Sequence, residues 1–309
     1  MFIMFNFYYI YHTYVYMEKL TKHHIIIIII IISILALIWN FIRTIIYNNK
    51  ELEWYVGRSF SLLKSIKNKF YYHPDRKEYF TRPNGDIEDV YIIDKDGHRL
   101  HGWYHNPHKP SSNKTVLFSH GNGGNLTTNS FIAASMMDEN IPFLMFDYKG
   151  YGKSEGKTYL GSTYNDMLEW YNYVITDKKI EKFNIVPMGN SIGSFPASKL
   201  AVTHDLNKLI ILAGFNSISE VVRDKISSPL NHILAYFTSG DLNVDKYLSQ
   251  YLHDPLILHS KEDTMISFRN AELNVVYGGH LVELKGDHNS LHINWTIIKD
   301  YLNNNKLNY

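Results

Sequence analysis

The chain has 309 residues, of which 45% are hydrophobic, and a formal net charge of only +1. Nothing in that balance suggests a nucleic-acid surface, and the absence of cysteine excludes disulfides, thiolate metal sites and a cysteine nucleophile. The length suffices for one large domain plus an anchoring segment. Residues 1–24 read as an N-terminal extension, aromatic-rich over its first 16 residues, with Met17-Glu18-Lys19-Leu20 resembling an ordinary start. Residues 25–47 read as a transmembrane signal anchor. From Ile25 to Ile42 the only polar residues are Ser33 and Asn40. As a helix this run of 18 residues would be about 27 Å long, close to the hydrocarbon thickness of a bilayer. Lys22 and Arg43 bracket it, and Trp39 and Tyr47 suit the interface. Lysines and arginines on the two sides nearly tie, so orientation is not specified. Three glycosylation sequons, at Asn113, Asn125 and Asn294, would matter only in a lumenal chain.

Residues 48–84 form a charged, aromatic juxtamembrane stretch ending in the turn signal Arg82-Pro83-Asn84-Gly85. The main domain is expected over 85–305. Asp89 to Asp94 and Arg99 to Tyr104 read as a hairpin around Asp96-Gly97. Lys114–Ser119 and Ile141–Phe146 read as buried strands. A helix is expected over Tyr164–Ile175, capped by Ser162 or Thr163, because apolar residues recur at i, i+3, i+4 and i+7. Phe183–Met188 is the next strand and Ser194–His204 the next helix. Lys208–Ala213, Pro255–His259 and Leu281–Leu284 complete the strands. A hairpin followed by strand–helix alternation predicts an α/β fold, a mostly parallel sheet flanked by helices. Residues 214–252 fit no such unit and are expected to be a cap or insertion at the active-site edge.

Between strand and helix lies Gly189-Asn190-Ser191-Ile192-Gly193. A serine flanked at two residues by glycines, at such a junction, is the pattern of a nucleophile elbow. Side chains at 189 and 193 would collide with the neighbouring strand and helix, so Ser191 should sit in a strained conformation. His120-Gly121-Asn122-Gly123-Gly124-Asn125 follows the expected third strand. Its glycines let backbone approach a substrate carbonyl, so the N–H groups of Asn122 and Ile192 are the expected oxyanion pair. The acid should lie just past the seventh strand, where Glu262 and Asp263 stand together; Asp263 is preferred and Glu262 is the alternative. The base should follow the last strand, which selects His288. Asp287, its direct neighbour, is poorly placed to reach the ring nitrogen that needs orienting.

The 120–125 and 189–193 segments, with Asp147-Tyr148-Lys149-Gly150-Tyr151-Gly152-Lys153-Ser154-Glu155-Gly156, resemble the membrane-associated α/β-hydrolase-domain serine hydrolases. Phe215-Asn216-Ser217-Ile218 and the Asp263 and His288 loops match as well, in order, over roughly residues 85–305. Ser260 departs from the family, which usually has glycine there. The resemblance implies hydrolysis of acyl esters or thioesters of lipids, lysophospholipids or acylated proteins, with the bilayer as a partner and no cofactor or metal. The 147–156 segment is expected to be structural. The rival readings are a non-catalytic binding or scaffold protein on the same fold and a serine peptidase.

Overall fold

The computed structural model describes residues 65, 67–69, 71–226 and 230–304. The extension and the anchor segment Ile25–Ile42 lie outside the described residues; among those described, no helix is long and apolar enough to cross a membrane. The described residues from 67 onward form one compact unit.

Its strands are β1 (Glu88–Ile93), β2 (Arg99–His105), β3 (Thr115–Ser119), β4 (Phe143–Phe146), β5 (Ile185–Asn190), β6 (Ile210–Leu212), β7 (Leu256–Ser260) and β8 (His280–Leu284). They form one sheet in the order β1-β2-β4-β3-β5-β6-β7-β8. β1 and β2 are antiparallel, as are β2 and β4, and every later pairing is parallel. The chain leaves β3 for β4 on one side and later returns to β5 on the other. Parallel sheets bind ligands at the carboxyl ends of strands beside such a reversal.

The helices are α1 (Ser130–Asp138), α2 (Ser162–Thr176), α3 (Ser194–Thr203), α4 (Ile218–Lys225), α5 (Leu230–Thr238), α6 (Asp245–Leu248), α7 (Arg269–Val275) and α8 (Trp295–Asn303). Strand residues alternate between two cores because side chains point to opposite faces with period two. Leu117, Leu144, Ile211 and Ile257 join Trp170 of α2 and Leu200 of α3 on one face. Val116, Phe118, Val186 and Leu258 join Ile132 of α1 and Ile298 of α8 on the other. Both faces are dry, which explains why these strands read as continuous apolar runs.

Several expectations change, and the strands expected from Ile141 and Lys208 begin at Phe143 and Ile210. Residues 182–184 are a short 3-10 turn, so the strand expected from Phe183 begins at Ile185. Gly161, at φ +87°, is the cap residue of α2 in place of Ser162 or Thr163; the Ser162 hydroxyl instead accepts the Tyr159 N–H at 3.0 Å. The domain also begins earlier than residue 85, since Tyr71 and Tyr72 are buried in the core. Within 214–252 lie α4, α5 and α6, with Leu242, Val244 and Leu248 joining the core around Phe195.

Candidate active site

At the end of β5 the chain turns sharply through a single 3-10 turn, Ser191–Gly193, into α3. Ser191 has φ +53°, a left-handed conformation that costs a non-glycine residue energy and persists only where packing imposes it. The packing is explicit. A Cβ at position 189 would lie 2.2 Å from Gly193 O, and one at 193 would lie 2.1 Å from Ser119 O. Neither position admits a side chain. The turn is pinned further by Ser119 Oγ donating to Gly193 O at 2.9 Å and Ser194 Oγ to Ser191 O at 2.6 Å.

The loops after β7 and β8 converge on this turn. His288 Nε2 lies 3.1 Å from Ser191 Oγ, and His288 Nδ1 lies 2.7 Å from Asp263 Oδ2. All three residues are nearly buried. Asp263 Oδ1 accepts the N–H groups of Met265 and Ile266 at 2.9 and 2.8 Å. His259, fully buried, sets Nε2 at 3.3 Å from Asp263 Oδ2 and 2.9 Å from Ile266 O. Burial alone would raise the Asp263 pKa, but hydrogen bonds from His259, His288 and the Ile266 N–H outweigh it and hold the carboxyl well below the usual carboxylate range. Asp263 is therefore an anion beside the imidazole at neutral pH.

The alternative acids face elsewhere. Glu262 Oε2 accepts the Gly286 N–H at 3.0 Å. Asp287 Oδ1 accepts the N–H and the hydroxyl of Thr264, both at 2.8 Å. Each ties one loop to the other, and neither meets the His288 ring. Ser260, where the resembling family has glycine, is buried at the end of β7 and uses its hydroxyl to accept the Glu262 N–H at 3.0 Å.

The loop after β3 forms the opposite wall. A Cβ on Gly121 would lie 3.5 Å from the Ser191 Cβ, so backbone passes directly beside the serine. A cavity of about 390 Å³ opens there, lined by Asn122, Gly123, Ser191 and His288 with the apolar Phe131 and Met265, both half exposed at its rim. Asn122 thus faces the cavity, and Ile192 is buried within the elbow turn. Among the described residues, none from 214–252 lines this cavity. His120, with its Nδ1 2.7 Å from Gly121 O, is caged by Tyr148 and Tyr151 at ring distances of 4.3 and 5.2 Å. Burial pushes its pKa down, so it is neutral and structural.

The 147–156 segment shores up this wall. Asp147, buried, accepts the Leu126 N–H at 2.8 Å and lies 3.1 Å from His101 Nδ1. Gly152 must be glycine, since a Cβ there would overlap Asp147 Oδ2 at 2.1 Å. Asn125 is fully buried with both amide atoms hydrogen-bonded, which leaves its sequon inaccessible. Reading the sequence alone did not single out His259, Tyr148, Tyr151 or Thr264 as supports. The apolar run around His259 and the aromatic spacing of 148 and 151 were the available signals.

Comparison with known proteins bears on the fold and on the class of activity. Residues 110–240 match the hydrolase family described as serine aminopeptidase, S33. That stretch holds the 120–125 loop and the elbow but ends before Asp263 and His288. The protein YfhR of Escherichia coli O157:H7 is 28% identical over 220 residues, covering 68% of this chain and 75% of its own. The esterase Pf2001 of Pyrococcus furiosus superposes with a TM-score of 0.55 at 18% identity, over 70% of this chain and 90% of its own. An alpha-beta hydrolase from Vibrio vulnificus gives 0.56 at 24% identity, over 66% and 74%. The chain has the α/β-hydrolase fold, and the family match supports a hydrolase.

Proposed function

We propose that the protein is a serine hydrolase that cleaves acyl esters or thioesters through an acyl-enzyme. The observation that carries this reading is the hydrogen-bonded line Asp263–His288–Ser191, with contacts of 2.7 and 3.1 Å, at the floor of a cavity with an apolar rim. Ser191 Oγ attacks the acyl carbonyl carbon while His288 Nε2 takes its proton. The carbonyl oxygen becomes an oxyanion facing the N–H groups of Asn122 and Ile192. As the tetrahedral intermediate collapses, His288 returns the proton to the departing alcohol or thiol. Water, deprotonated by the same imidazole, then attacks the acyl-serine, releasing the acid and restoring Ser191. Asp263 stays ionised throughout, fixing the ring's tautomer and stabilising the imidazolium.

The match to an aminopeptidase family favours a second reading, cleavage of an N-terminal peptide bond. Such an enzyme needs a carboxylate to hold the substrate's free ammonium group. Among the described residues lining the cavity there is no Asp or Glu, which supports the ester reading. The apolar rim suits an acyl chain, and the segment Ile25–Ile42 would hold the domain at a bilayer where such chains partition. Carbonate extraction of membranes tests the anchor: the full chain should remain in the pellet, and release into the supernatant would end the anchored reading.

Labelling with a fluorophosphonate tests the chemistry. Wild type should label covalently, and Ser191→Ala should abolish labelling and lower kcat by about three orders of magnitude or more. Full labelling of Ser191→Ala would move the nucleophile elsewhere.

A further inference from the structure

The segment that leads into the domain crosses the wall of the active site outside any helix or strand. Its backbone groups reach the 120–127 loop from every second residue. The His73 N–H donates to Asn122 Oδ1 at 3.0 Å. The carbonyl oxygens of Asp75 and Lys77 accept from Asn125 Nδ2 at 3.1 and 2.8 Å. The Tyr79 N–H donates to Thr127 Oγ1 at 3.0 Å. In place of a partner strand, this segment pairs with three side chains, Asn122, Asn125 and Thr127.

The contacts are anchored on both sides. Asn122 Oδ1 also accepts from the Tyr151 hydroxyl at 3.1 Å, and Tyr151 belongs to the fully buried cage around His120. The Gly152 N–H donates to Asp75 O at 2.9 Å. Asn125 Oδ1 accepts the Thr127 N–H and hydroxyl at 2.9 and 2.7 Å, so its amide is oriented with the nitrogen towards the segment. Between these clamped residues lie only Gly123 and Gly124, which have little stiffness of their own. The backbone of Asn122 therefore depends on its side chain for position.

We propose that residues 73–79 are a strap that positions the oxyanion loop, with Asn122, Asn125 and Thr127 as its fasteners. This rests on the hydrolase reading for its chemical consequence, because the loop's backbone N–H acts only once charge develops on the carbonyl oxygen. Asn122 thus has two separate duties: its N–H meets the oxyanion, and its side chain holds that N–H in place. A segment outside the domain expected from sequence becomes part of the site's machinery.

Because the oxyanion forms only on reaction, loosening the strap should lower kcat and spare KM. Thr127→Val removes one fastening at nearly constant volume, and Tyr151→Phe keeps the ring but removes the hydroxyl that steadies the fastener Asn122 from the domain side. In the full-length chain each should reduce kcat on a short-chain p-nitrophenyl ester about tenfold, with KM within about twofold. Binding of a trifluoromethyl ketone should weaken by the same factor. Ser191 Oγ adds to its carbonyl carbon, His288 takes the serine proton and the carbonyl oxygen becomes an alkoxide in the loop. Glu88→Ala on β1, which removes the surface pair with Lys178, should change none of these. Hydrogen exchange of the amides at 121–125 reads the strap without turnover and should quicken in both fastening variants. If the folded variants keep wild-type exchange, kcat and ketone affinity, the strap proposal is overturned. If wild type neither labels with fluorophosphonate nor turns over esters while exchange still quickens, the hydrolase reading fails and the fastening stands.

Discussion

The elbow around Ser191 and the paired loops carrying Asp263 and His288 are held in place by opposite means. The elbow is fixed by missing atoms: with no Cβ at 189 or 193, strand β3, strand β5 and helix α3 close to backbone contact. The acid and base loops are fixed by added atoms, through Thr264 on Asp287, Gly286 on Glu262 and His259 on Asp263. Hard-core contact allows no partial loss, whereas a set of hydrogen bonds worth about 1 kcal/mol each can be thinned one at a time. Damage to the elbow should act as a switch, and damage to the loops' cross-ties should be graded. Asp263 stands between these, because in the proposed reaction its charge serves the chemistry directly.

The sharpest break of this comparison is Gly193→Ala. Residue 193 has φ −63°, a conformation alanine adopts freely, so the substitution tests space alone. The added methyl would meet two backbone oxygens, Ser119 O at 2.1 Å and His120 O at 2.8 Å. Backbone cannot step aside as a side-chain end can. We expect destabilisation of about 3 kcal/mol, a fall in Tm of about 6–12 °C, together with loss of fluorophosphonate labelling. A fully labelled, wild-type-stable variant would show that the elbow has slack.

Second in size is Asp263→Asn, which should lower kcat roughly 10³–10⁴-fold while the fold survives, because the imidazole loses the anion that sets its tautomer. The same substitution carries a pH signature. Hydrogen bonds hold the folded Asp263 pKa below its unfolded value, near 3.9 for an ordinary aspartate. Its contribution to stability is therefore present above that pH and is lost as pH falls towards the lower folded value. The Tm difference between wild type and Asp263→Asn should narrow as pH falls below about 4. A difference that stayed level down to pH 2 would mean the carboxylate gains nothing from its partners.

The same contrast decides what could be read from sequence. Gly189, Ser191 and Gly193 were legible because steric demands restrict residue type at fixed spacing, and strand alternation was legible because both sheet faces are apolar. Asp263 and His288 followed from chain order. The strap over residues 73–79 was not legible, since it acts through backbone groups that any residue carries, and the segment's charged composition resembled a linker. His259 was hidden inside an apolar strand, where a histidine has no periodic signature. Gly161 displaced Ser162 as the cap of α2 because the Ser162 hydroxyl turns back to Tyr159. Residues 214–252 announced themselves only by failing the strand–helix pattern, which says nothing about which wall they join.

The smallest effects separate the two cross-ties between the loops. Asp287 receives two hydrogen bonds from Thr264, the residue following the acid, and itself precedes the base. Asp287→Ala removes both, so the two loops lose one of their cross-ties. Those bonds are solvent-exposed, which puts the expected cost at about 1 kcal/mol or less and the fall in kcat at about three- to tenfold. Glu262→Gln keeps an oxygen for the Gly286 N–H, so it should leave kcat within about twofold. This pair also discriminates between roles that the sequence left open. Were Glu262 the orienting acid, Glu262→Gln would mimic the loss expected of Asp263→Asn, and the order of the two variants would invert. Measuring kcat for both against the same short-chain ester tests it. If Asp287→Ala also proves silent, the Thr264–Asp287 tie is dispensable, and the graded half of the comparison rests on the Gly286–Glu262 bond with Asp263 and His259.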